Sequence, residues 1–82
     1  IKLTKLDLCG NRITDKGLFF LSRCNFPFLA DLRLNNNEFT SYGLEIIGQS
    51  RFRDIGSIEL SYNKINDEGI KNFCKCEFKT LR

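Results

Sequence analysis

The sequence predicts an α/β fold, a right-handed solenoid segment built from three 26-residue units, each one short strand followed by one helix. Three observations carry this. The first is a pattern that recurs without a gap: Leu3, Leu6, Leu8, Asn11, Ile13, then Leu29, Leu32, Leu34, Asn37, Phe39, then Ile55, Ile58, Leu60, Asn63, Ile65, each copy displaced by 26 residues. A fixed period of this length is the mark of stacked supersecondary units. The second is that Gly17, Gly43 and Gly69, the columns Leu18/Leu44/Ile70 and Leu21/Ile47/Phe73, and Phe26, Phe52 and Phe78 keep the same spacing. The third is a change of hydrophobic period inside every copy, from alternation to helical spacing.

The alternating parts are Lys5 to Leu8, Asp31 to Leu34 and Ser57 to Leu60, where apolar residues point one way and polar residues the other, as in a short strand. The helical parts place apolar residues three apart, as in Leu18, Leu21 and Cys24, which suits one buried stripe. Thr14-Asp15, Thr40-Ser41 and Asn66-Asp67 precede these helices and offer side-chain oxygens to the free N–H groups of a first turn. A strand and helix this short cannot bury their apolar faces alone. Side by side, identical copies form a continuous core and a parallel sheet, with the right-handed crossover usual for strand-helix-strand units.

The pattern LxxLxLxxNxI, in "LTKLDLCGNRI", "LADLRLNNNEF" and "IGSIELSYNKI", resembles the leucine-rich repeat over essentially the whole chain. The longer stretch "LDLCGNRITDKGLFFLSRC" is similar to the ribonuclease-inhibitor-like and cysteine-containing subclasses, and the period together with Cys24 and Cys76 leans toward the latter, known from F-box substrate receptors. The resemblance implies a horseshoe with strands on the concave face and helices on the convex face, a role in protein recognition, and no reaction. Units span about 3–28, 29–54 and 55–80, with Leu81 opening a fourth, in one segment of 1–82.

Composition bounds the functional classes. The chain has 82 residues, 41% hydrophobic and 28% charged, with net charge +3, which fits a small globular domain. So mild a charge gives no reason to expect a nucleic-acid partner. No apolar run reaches the 18 residues of a membrane span, and the N-terminus lacks the apolar core of a signal peptide. The chain opens at Ile1 inside an apolar pattern, which suggests an excerpt of a longer protein. Three units without polar caps are near the minimum for such an array, so further repeats or a cap are expected to stack at Leu3 and Leu81.

Catalytic chemistry finds no support. There is no histidine, no cysteine beside a base, no glycine-rich phosphate loop and no paired acidic motif. No cofactor is expected. "CKC" at 74–76 places two thiols on different sides of a helix, and without histidine no zinc site is expected. Cys24 and Cys76 read as small buried residues at helix ends, in one column with Ser50. Free thiols and the lack of an N-x-S/T sequon point to a reducing, cytoplasmic compartment. The recurring glycines read as points of close approach. The basic residues Lys71, Lys75, Lys79 and Arg82, interrupted by Asp67, Glu68 and Glu77, read as a solvated convex face.

The expected partner site is the outward strand face, where another protein is held by Lys5, Asp7, Asp31, Arg33, Asn35, Asn36, Glu59, Ser61 and Tyr62, with Cys9, Gly10 and Ser57 completing the surface. Strands about 4.8 Å apart make equivalent residues lateral neighbours, so Asp7, Arg33 and Glu59 form one ladder of alternating charge and Arg12, Glu38 and Lys64 another. Arg33 and Tyr62 belong to the residue types enriched at contact centres. Asn11, Asn37 and Asn63 belong instead to the framework, where the chain leaves each strand and its backbone needs hydrogen-bond partners. On the helices, Phe19 should face solvent and Phe20 should be half-buried. The expected function is a non-enzymatic protein-binding module; the alternatives are the substrate-recognition part of an F-box type ubiquitin-ligase receptor, a microbial effector, or a scaffold within a larger assembly.

Overall fold

A computed structural model describes residues 2–67 and Lys71. The element order is β1 (Lys5–Asp7), α1 (Asp15–Ser22), β2 (Asp31–Arg33), α2 (Ser41–Gly48), a 3-10 helix (Arg51–Asp54) and β3 (Ser57–Glu59). The strands form a parallel three-stranded sheet in the order β1-β2-β3. Lys5 pairs with Asp31 and Asp31 with Ser57, Leu6 with Leu32 and Leu32 with Ile58, Asp7 with Arg33 and Arg33 with Glu59. Both ladders thus join residues 26 apart (31 − 5 and 57 − 31), the offset at which the sequence pattern recurs.

Each strand ends one residue before the expected Leu8, Leu34 or Leu60. Pairing nevertheless continues, since Leu8 N–H donates to Arg33 O at 2.9 Å and Leu34 N–H to Glu59 O at 2.9 Å. Between the sheet and the helices lies one apolar core in which Leu18, Leu32, Leu34, Ile47 and Ile58 are fully buried. Its glycines are sites of close approach. A Cβ at Gly43 would stand 2.7 Å from Asp15 Oδ1 and 3.2 Å from Phe39 Cβ, and one at Gly17 would stand 2.8 Å from Ile13 Cγ2. The third helix of the pattern, with Gly69, Phe73 and the cysteines 74 and 76, lies outside the described residues, as does Leu81.

Three expectations are corrected. The threonine cap holds at α2, where Thr40 Oγ1 accepts from Tyr42 N–H at 3.2 Å, but Thr14 makes no such bond at α1. Asp15, next to it, is spent elsewhere: its carboxylate reaches across 25 residues to accept from Thr40 N–H at 2.9 Å and from the Thr40 hydroxyl. Cys24 is exposed, because α1 stops at Ser22 and the residue falls on the loop beyond the stripe, its Sγ 3.6 Å from Phe20 O. Phe20 is 59% exposed rather than half-buried. The equivalent Ile46 of α2 is half-buried against the core, and Gly43, one turn before it, faces Asp15 and Leu18 of the preceding helix. Side chains three or four apart share a helix face. Phe20 therefore points to the side of α1 away from α2, where no described residue covers it; Phe19, 45% exposed, meets its ring edge to face at 5.9 Å.

The 3-10 helix has no counterpart in the first copy, and the reason is one residue. Arg53 N–H donates to Ser50 O at 3.3 Å, whereas the equivalent position is Pro27, which has no N–H to give.

Candidate protein-binding face

The polar face of the sheet brings most of the expected site residues together. Arg33, the last residue of β2, places its guanidinium between two carboxylates: Nη2 lies 3.3 Å from Asp31 Oδ2 and Nε lies 3.4 Å from Glu59 Oε2. The Asp31 bond first, and the charges of Asp31 and Glu59 with it, raise the Arg33 pKa further above its already high value. Glu59 Oε1 accepts from Asn35 Nδ2 at 3.0 Å, and Asn35 Oδ1 accepts from Ser61 N–H at 2.7 Å. Asp31, Arg33, Glu59, Asn35 and Ser61 form one connected network across two strands and the turn after β3. The Arg33 side chain stays 46% exposed, so its pairs are partly wet and individually worth under about 1 kcal/mol. Their geometric effect is larger, since the guanidinium plane is held from two sides. Asp31 Oδ1 is buried and has no hydrogen-bond partner among the described residues.

Lys5 and Asp7 flank this network on β1. With Leu6, Asp31 and Arg33 they line a shallow cavity of about 230 Å³. The Asp7 carboxyl is held below the usual carboxylate range, first by its side-chain hydrogen bond with Cys9, then by the Cys9 N–H at 3.0 Å, with Arg33 adding attraction. The same contact pushes the Cys9 thiol up, because a carboxylate beside it disfavours the thiolate. In the second ladder, Lys64 Nζ lies 3.5 Å from Glu38 Oε1 in an exposed pair.

One property of this face was missed from the sequence. Gly10, Asn36 and Tyr62 occupy one column and all three adopt left-handed backbone, with φ of 71°, 57° and 60°. The chain leaves each strand through the same turn, in which Gly10 N–H donates to Asn35 O and Asn36 N–H to Ser61 O. Glycine and asparagine enter that region readily, so their sharing a column was the available signal. Tyr62 is different. An aromatic residue there costs on the order of 1–2 kcal/mol, and Tyr62 bears that cost while 82% exposed, where its ring repays little through burial. Asn36 is exposed beside it.

The asparagine column is the framework of this face. Asn37, 6% exposed, makes five hydrogen bonds: Oδ1 accepts from Asn11 N–H and Ile13 N–H, and Nδ2 donates to Leu8 O, Leu34 O and Asn35 O. Asn63 repeats the arrangement one copy later, accepting from Phe39 N–H and donating to Leu34 O, Leu60 O and Ser61 O. Each of these two side chains ties its own turn to the turn before it. Asn11 is exposed and, among the described residues, its amide reaches only Leu8 O and Cys9 O, within its own turn.

A parallel sheet whose strands recur every 26 residues, joined by helices on one side and pinned by the asparagines that follow β2 and β3, is an arrangement of the leucine-rich repeat type. The family model described as leucine-rich repeat matches residues 1–22 and 57–74, on either side of the segment that holds β2 and α2. The chain thus carries leucine-rich repeats in these two stretches. Domains of this family generally mediate protein-protein interaction and are typically non-enzymatic. No curated protein and no solved structure matches the chain. Among the described residues no group of three or more histidine, cysteine, aspartate or glutamate side chains converges as a metal site would require, and no helix is long and apolar enough to cross a membrane.

Proposed function

We propose that the chain is a non-enzymatic recognition module, a right-handed solenoid segment of three 26-residue repeats that holds another protein against the concave strand face. The contact centre is Arg33 with Tyr62 and Asn36, and Lys5, Asp7, Asp31, Asn35, Glu59 and Ser61 complete it. The observation that carries this reading is the pairing of a braced, half-exposed guanidinium with an aromatic side chain that is exposed at a backbone cost. Arginine and tyrosine supply much of the energy at protein contacts, and a side chain already held in place loses less entropy on binding. Asn35 acts through Glu59 and the Ser61 backbone, so its role is to position the centre. Free thiols at Cys9 and Cys24 support a reducing, cytoplasmic setting.

The test is recovery of binding proteins by the wild-type chain and by the double variant Arg33→Ala/Tyr62→Ala. Loss of two hot-spot side chains should weaken partner recovery by at least about tenfold, from about 2 kcal/mol or more per centre. Equal recovery by both would place the contact on another surface.

A further inference from the structure

A second surface lies at the edge of the molecule, where α1 and α2 end and the chain turns back toward the sheet. Two adjoining cavities of about 370 and 620 Å³ share Cys24, Pro27 and Arg51 in their walls. The smaller is floored by apolar residues, Phe26 and Leu29 from the first copy and Phe52 and Ile55 from the second. Its volume falls in the range of about 300–1,000 Å³ in which proteins hold small ligands or single anchoring side chains. The larger opens outward and carries Arg23 and Arg51 with only neutral residues beside them; Asp54 borders the apolar cavity alone.

The charges here are not consumed locally. Arg51 Nη1 reaches Asn25 Oδ1 at 3.4 Å and Arg23 lies over the Phe19 ring at 5.6 Å, and both side chains belong to exposed residues. Among the described residues no carboxylate lies within ion-pair distance of either. Two helix C-termini point to this edge and would lend it negative potential if their carbonyls were bare. They are covered: Arg23 N–H donates to Phe20 O, Cys24 N–H to Leu21 O, Gln49 N–H to Glu45 O, and both the N–H and the hydroxyl of Ser50 to Ile47 O. The two guanidiniums therefore set the potential at the mouth of an apolar cleft.

We propose that this edge cleft docks an extended acidic segment of a partner protein, one large apolar side chain entering the cavity floored by Phe26 and Phe52 while neighbouring carboxylates meet Arg23 and Arg51. Charge complementarity selects this occupant. A free anion would leave the apolar floor uncovered, and a basic segment would meet like charge at the rim. The cleft stands apart from the strand face, so this site and the one proposed above are separable.

The experiment titrates the full chain, followed by amide NMR shifts and by anisotropy, with fluorescein-labelled Gly-Asp-Phe-Asp-Gly, and with the Gly-Asp-Ala-Asp-Gly and Gly-Lys-Phe-Lys-Gly peptides as controls. The first should bind about tenfold more tightly than the alanine peptide, through burial of one ring, and should shift amides of residues 22–26 and 49–55. Arg51→Glu, at an exposed position, should weaken it by about tenfold with the melting temperature retained, whereas Arg33→Ala/Tyr62→Ala should leave it unchanged. Absence of binding, equal binding of the lysine peptide, or shifts confined to the strand face would overturn the proposal.

Discussion

The first and second copies of the pattern use the same residue types in the same columns, yet they are buried very differently. Leu32 is fully buried where Leu6 is half-buried, Asn37 is buried where Asn11 is exposed, and Phe52 is 5% exposed where Phe26 is only partly covered. The second copy has a described neighbour on both sides, β1 and α1 on one and β3 on the other. The first has one. In a stack, burial is conferred by the flanking copies and not by the residue itself, so equal letters should carry unequal energies.

The widest gap should appear in the core. Leu32→Ala removes a side chain closed in by both neighbouring strands and should cost about 3 kcal/mol, within the range for buried leucine truncation. Leu6→Ala, on the open edge, should cost roughly half as much, since part of its surface already meets water. Urea midpoints of the two variants compare them directly. Should Leu32→Ala depopulate the native state, Leu32→Val, at about 1 kcal/mol for a methylene, keeps a folded baseline. Equal losses would mean that the two strands are equivalently covered and that the contrast drawn here is wrong.

A smaller gap should separate the asparagines. Removing the Asn37 amide strands the part-buried N–H groups of Asn11 and Ile13, while Leu8 O, Leu34 O and Asn35 O each lose one of two donors, and should cost about 1–3 kcal/mol. Asn11→Ala leaves Cys9 O to water while Leu8 O keeps the Asn37 amide, and should cost under about 1 kcal/mol. Melting temperatures of the pair would settle it; a larger drop for Asn11 than for Asn37 would refute the assignment of Asn37 as the tie between turns.

How far the sequence reached follows from the same contrast. Strand positions, pairing offset, the framework role of Asn37 and Asn63 and the Arg33–Glu59 step of the charge ladder were legible because each depends on a column, and columns are visible in one chain. What escaped depends on one copy's departure from its column. Pro27 removes a donor that Arg53 has, so the second copy forms a 3-10 helix where the first does not. Cys24 looked like the last rung of a helix stripe, but α1 stops at Ser22. Asp15 looked like a cap for its own helix and instead holds the next one through Thr40. Asn35 looked like a free contact residue, and its amide is engaged with Glu59 and Ser61. The left-handed turn at Gly10, Asn36 and Tyr62 was hidden by the tyrosine, the residue least suited to it.

The finest test of the contrast lies where Cys9 stands in the column of Asn35. Asn35 ties its strand to the next through Glu59 and Ser61, and a thiol has no comparable reach. In the first copy Asp7 takes the local role instead, accepting the Cys9 N–H and pairing with its thiol. The carboxylate stabilises the protonated thiol and repels the thiolate, so Cys9 titrates above its ordinary value. Asp7→Asn removes the charge, lowers the thiol pKa and raises the thiolate fraction at any fixed pH below it. Since the thiolate is the nucleophile, alkylation of Cys9 by iodoacetamide near neutral pH should accelerate severalfold, and the rate-against-pH curve should move toward lower pH. A background in which Cys24, Cys74 and Cys76 are serine isolates the signal. Asp31→Asn, one strand away and engaged with Arg33, should leave the rate nearly unchanged. If Asp7→Asn and Asp31→Asn behave alike, the thiol responds to the general charge of the strand face, and the first copy has no local substitute for the tie that Asn35 makes in the second.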